Sequence, residues 1–75
     1  MNKQRRIRLR ESNSLLARAL QIIYAVKDEE QDALDNFPEN LQNSERYTAM
    51  EDAIDGLEEA IDCIEQASES INNVC

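Results

Sequence analysis

From Tyr47 to Cys75, mostly apolar residues recur at alternating spacings of three and four. This seven-residue pattern is typical of a helix that packs along another helix. The row consists of Tyr47, Met50, Ile54, Leu57, Ile61, Ile64, Ser68, Ile71 and Cys75. A second row with the same period runs beside it and consists of Ala53, Ala60, Ala67 and Val74. Small side chains on that flank allow a further helix to come close, so the pattern predicts an all-α fold with several helix contacts.

A first helix is predicted over residues 3–35, because apolar residues there also recur at helical spacing. Its stripe consists of Leu9, Leu16, Ala19, Leu20, Ile23, Val26, Ala33 and Leu34. Leu15 and Ile22 widen the stripe on one side. A stripe this broad exceeds what a two-stranded seam requires, so it favours contact with more than one neighbouring helix.

A polar connector over residues 36–43 is expected to separate the two helices. Pro38 lacks an N–H group and the residue before a proline avoids the helical region, so Phe37-Pro38 predicts the end of the first helix. Phe37 and Leu41 are expected to fill the end of the core. Ser44 is a predicted N-cap for a second helix over residues 44–72. So short a connector predicts an antiparallel hairpin within one domain, residues 1–75.

The small size of the chain favours self-association. A 75-residue monomer buries a modest fraction of its surface, and paired helices commonly gain stability by oligomerising. We therefore expect a homodimer of hairpins that forms a four-helix bundle. The predicted oligomer interface consists of Leu16, Leu20, Ile23, Tyr47, Met50, Ala53, Ile54, Leu57, Ala60, Ile61, Ile64, Ala67 and Ile71.

No motif for reaction chemistry is found in the sequence. The chain has no His and a single Gly, so it lacks Ser/His or Cys/His nucleophile pairs and glycine-rich phosphate loops. Cys63 and Cys75 match no metal-binding spacing and are expected to be incidental free thiols of a cytoplasmic protein. We therefore expect no enzyme activity, no cofactor and no metal. No apolar stretch is long enough to cross a membrane, so no membrane association is expected.

Charge is divided unevenly along the chain. Residues 1–27 carry seven cations and one carboxylate, whereas residues 28–75 carry one cation and fifteen carboxylates. The basic segment contains Arg5, Arg6, Arg8 and Arg10. The favoured interpretation is internal pairing, with residues near Arg6 and Arg10 beside Glu65 and Glu69. Contact with nucleic-acid phosphates or with another partner remains open, although the net charge of −8 opposes non-specific DNA binding.

The connector and the helix after it resemble a group of short acidic proteins encoded in Firmicutes genomes, prophages and conjugative elements. The resemblance covers residues 32–67, in which Asn36 to Tyr47 read NFPENLQNSERY and an acidic heptad helix follows. It implies a bacterial or mobile-element origin and carries over no functional residues.

The sequence therefore favours a small non-enzymatic interaction protein. It would self-associate through its heptad rows and offer an acidic surface to a protein partner. The alternatives are a nucleic-acid accessory protein that uses the basic segment, and an acidic inhibitor that imitates DNA.

Overall fold

The computed structural model describes all 75 residues as two long helices joined by a short connector. Helix α1 spans Lys3–Asp35 and helix α2 spans Glu45–Val74, with a 3-10 helix at Glu39–Leu41 between them. The all-α hairpin is confirmed, and both helices begin and end within two residues of their predicted bounds.

Each helix begins at a side-chain cap. The Ser44 hydroxyl accepts a hydrogen bond from the backbone N–H of Tyr47 at 3.2 Å, as the sequence predicted. The Asn2 side-chain oxygen accepts from the backbone N–H of Arg5 at 2.8 Å, a cap that was not predicted from the sequence. Both caps satisfy backbone donors that have no partner within the first helical turn.

The connector closes one end of the seam between the helices. The rings of Phe37 and Tyr47 meet edge to face, with centroids 5.4 Å apart. The expectation for Phe37 is therefore confirmed. The expectation for Leu41 is wrong, because its side chain is 48% exposed at the end of the 3-10 turn.

The core is a single seam along the two helices. Only Ile54 and Ile61 are buried, at 5% and 4% exposure, and the remaining seam residues are half-buried. The molecule is a rod of 60 × 15 × 13 Å. Two helices alone cannot enclose a core on all sides, so most of the apolar surface is covered on one side only.

Side-chain contacts set the alignment of the two helices along their common axis. The Asn13 amide donates to the Asn72 side-chain oxygen at 2.7 Å and to the backbone carbonyl of Ser68 at 3.3 Å. Extending this antiparallel pairing along the axis places Arg10 level with Cys75. Residues 1–9 therefore project past the end of α2, by about 13 Å at the helical rise per residue.

Candidate interaction surface

One broad side of the hairpin carries the polar contacts between the helices. Lys27 forms an ion pair with Glu58 at 3.5 Å, and the Tyr24 hydroxyl donates to the Glu65 carboxylate at 3.5 Å. These four residues lie on one flank of each helix, and we call this the polar side.

The opposite flanks form an apolar side. In an antiparallel pair the matching flanks of both helices share a side, so residues on the flanks away from Lys27 and Glu58 lie together. We define the apolar side as Leu15, Ala19, Ile22 and Val26 of α1 and Ala53, Ala60, Ala67 and Val74 of α2. Leu15 and Ile22 are 62% and 59% exposed. Large aliphatic side chains thus lie in solvent on the side of the hairpin where the alanine row runs.

The predicted oligomer-interface residues divide between the seam and the apolar side. Ten of them lie buried or half-buried in the seam of their own chain: Leu16, Leu20, Ile23, Tyr47, Met50, Ile54, Leu57, Ile61, Ile64 and Ile71. Ala60 is half-buried, and Ala53 and Ala67 are exposed on the apolar side. The prediction omitted Leu15 and Ile22, although their seven-residue spacing beside the stripe was the signal that could have included them.

The N-terminal turns of α1 form a basic overhang, residues 1–9. Arg5, Arg6, Arg8 and the adjoining Arg10 are exposed, and none of their guanidinium groups makes an ion pair or a hydrogen bond. The expected internal pairing is therefore wrong. That expectation assumed that α2 extends alongside these residues. In the observed alignment of the two helices, α2 ends level with Arg10.

A shallow groove joins the basic overhang to the apolar side. It has a volume of about 550 Å³ and lies along α1 alone, between Met1, Arg5, Arg8 and Leu15. Its walls combine aliphatic side chains with two guanidinium groups and the carboxylate of Glu11.

Charge is segregated along the axis of the rod. The open end, residues 1–14 and 71–75, carries five cations and one carboxylate. The loop end, residues 28–57, carries ten carboxylates and one cation. The middle of the rod holds the remaining two cations and five carboxylates. The hairpin therefore has a basic end and a strongly acidic end.

Other reactive groups do not cluster. Cys63 and Cys75 are exposed free thiols. No three His, Cys, Asp or Glu side chains lie close enough together to hold a metal ion. Neither helix is both long and apolar enough to span a membrane.

The chain matches no protein-family model, and no curated protein or solved structure matches it significantly.

Proposed function

We propose that this chain is a small non-enzymatic interaction protein that acts as a homodimer of hairpins, arranged as a four-helix bundle. The exposed apolar side carries this proposal. Leu15 and Ile22 extend into solvent beside the alanine row, and a second hairpin placed there would bury both. Contiguous exposed apolar surface of this kind is typical of protein–protein contact sites.

The exposed area of the chain supports association. The hairpin exposes 5860 Å². A compact monomer of 8.6 kDa exposes about 4,700 Å² by the scaling of surface with mass. The excess of about 1,200 Å² exceeds the roughly 800 Å² per partner that a standard stable interface buries. Pairing two hairpins would bring the exposed area per chain close to that of ordinary folded proteins.

The proposed partner site is the acidic surface that dimerisation leaves outside. The loop end holds ten carboxylates, and Asp52, Asp55 and Glu59 lie exposed away from the seam. A protein with a basic surface fits this charge, because complementary potentials steer association and exclude partners of like charge.

The exposed free thiols fit a reducing compartment, so we place the protein in the cytoplasm.

Substitutions on the apolar side test the dimer. In the Leu15→Glu/Ile22→Glu variant, each interface would bury carboxylates without partners, so we expect a monomer by sedimentation equilibrium. The matched control is Ile7→Glu, which changes an exposed aliphatic residue on another face of α1 and should leave the mass unchanged. A parent chain that is already monomeric at high micromolar concentration would contradict the proposal.

The free basic overhang favours a second candidate function, that of a nucleic-acid accessory protein. Arg5, Arg6, Arg8 and Arg10 have no partners within the chain, so their charges are available to phosphates. The test is a gel-shift titration of the parent against a variant with all four changed to Ala. Equal affinity in both would end this candidate.

The loop end favours a related third candidate, an inhibitor that imitates DNA. Its carboxylates lie along a narrow rod, as phosphates do along a duplex. Retention of nucleic-acid-binding proteins by the immobilised chain at low salt would support it. Failure to retain any would contradict it.

A further inference from the structure

One row of exposed residues on α1 is complementary to itself in the reverse direction. Arg8, Leu15, Ile22 and Glu29 follow one another at seven-residue spacing, and all four are exposed. Leu15 and Ile22 belong to the apolar side, and Arg8 and Glu29 continue their row at its two ends. The row has a cation at one end, a carboxylate at the other and two aliphatic residues between them. When this row packs against the same row of a second chain that runs in the opposite direction, a cation faces a carboxylate at both ends. The aliphatic side chains then face each other in the middle.

We propose that the dimer is antiparallel, with the loop ends of the two hairpins at opposite ends of the bundle. Arg8 of each chain then faces Glu29 of the second copy, and Leu15 faces Ile22 of the second copy. A two-fold axis passes near Ala19 and generates each contact twice, as an isologous interface requires. This inference rests on the proposed self-association and adds its direction and its contact residues.

The charges next to the row agree with the same direction. The alignment that joins Arg8 to Glu29 of the second copy brings Arg5 level with Asp32 of that copy, and both residues are exposed. They lie on opposite flanks of the row, so they place opposite charges at the same level of the bundle without facing each other as a pair. The basic overhang, which has no partner in its own chain, would thus lie along the acidic C-terminal turns of α1 in the second copy.

The distribution of charge along the rod favours this direction over a parallel one. A parallel pair would place the ten carboxylates of one loop end beside the ten of the other. The antiparallel pair places each loop end beside an open end that carries five cations. Like charges in close contact destabilise an interface, and opposite charges select its orientation.

The flank of α2 accepts the same arrangement. When α1 lies along α1 of the second copy, α2 lies along α2 over residues 58–75, because the end of α2 in the second copy lies level with Glu58. The contacting flank of α2 carries no charged residue over this overlap, since it consists of Ala60, Cys63, Ala67, Ser70 and Val74. Two such flanks of small side chains allow the α2 axes to approach closely.

Charge reversal tests the direction. We expect Arg8→Glu and Glu29→Arg each to raise the dimer dissociation constant about tenfold, because each substitution sets like charges against each other at two exposed pairs per dimer. The double variant Arg8→Glu/Glu29→Arg restores both pairs within one sequence and should return to within about twofold of the parent. Arg10→Glu is the matched control, since it makes the same charge change on the opposite side of α1 and should have little effect.

A distance measurement provides an independent readout. A spin label at Asn40→Cys, with Cys63 and Cys75 changed to Ser, marks each loop end. The antiparallel dimer should give a label-to-label distance of roughly 50 Å or more, because each chain is a rod 60 Å long. Loop ends on the same side would give a distance below roughly 30 Å, since the rod is only 15 Å wide.

The outcomes separate this inference from the proposed function. A stable parent dimer with a short loop-to-loop distance, or without rescue in the double variant, overturns the antiparallel direction and leaves the self-association in place. A monomeric parent overturns both and leaves the apolar side to a different partner. A dimer with rescue and a long distance supports both.

Discussion

The Asn13 amide donates a hydrogen bond to the Asn72 side-chain oxygen at 2.7 Å, across the open end of the hairpin. The same amide also donates to the Ser68 carbonyl at 3.3 Å, so one polar residue joins α1 to two turns of α2. A polar residue in an apolar seam selects one alignment of the helices over others. This alignment ends α2 level with Arg10 and leaves the basic overhang without partners in its own chain.

Replacing Asn13 with Leu should stabilise the hairpin. The side-chain oxygen of Asn13 is buried and accepts no hydrogen bond, and burying such a group costs about 1–3 kcal/mol. We expect Asn13→Leu to raise the free energy of unfolding by about 1 kcal/mol in urea titrations. Asn72→Ala is the control, since it removes only the acceptor and should lower that free energy. A less stable Asn13→Leu variant would show that the two hydrogen bonds outweigh the buried oxygen.

Truncating the two buried residues should have the largest effect on stability. Ile54 and Ile61 are the only buried side chains of the hairpin. We expect Ile54→Ala or Ile61→Ala to lower the free energy of unfolding by about 2–5 kcal/mol, measured by chemical denaturation. Ile7→Ala removes the same atoms from a side chain that is 49% exposed, and its effect should stay within about 0.5 kcal/mol. Equal losses at Ile54 and Ile7 would contradict the observed seam.

Removing the cap of α2 should have an intermediate effect. The Ser44 hydroxyl accepts from the backbone N–H of Tyr47, which has no other partner in the first turn. We expect Ser44→Ala to lower the free energy of unfolding by about 1 kcal/mol, and Ser44→Asp to retain most of the stability. Ser70→Ala, at an exposed position within α2, is the matched control and should not destabilise the protein.

The periodic parts of the fold were predictable from the sequence. The heptad row from Tyr47, the proline at position 38 and the hydroxyl of Ser44 each act through local geometry, and the observed helices follow them. The alanine row is also where it was expected, on a flank of α2 that its own α1 leaves largely uncovered. Local patterns sufficed because helix bounds depend on residues only a few positions apart.

The alignment of the two helices was not predictable in the same way. A heptad seam is nearly unchanged when one helix slides by seven residues, so apolar spacing alone does not select one position. The Asn13–Asn72 bond, between residues 59 positions apart, and the Phe37–Tyr47 ring contact across the connector select it, and neither contact follows from apolar spacing. For this reason the basic residues were expected beside Glu65 and Glu69 but lie beyond the end of α2.

The most direct test of self-association is the molar mass of the unmodified chain in solution. Light scattering across a concentration series in moderate salt and reducing buffer measures this mass without dependence on shape. A dimer of hairpins predicts a mass of about 17 kDa, twice the 8.6 kDa of one chain, at micromolar concentrations and above. A constant mass of 8.6 kDa throughout the series would contradict it.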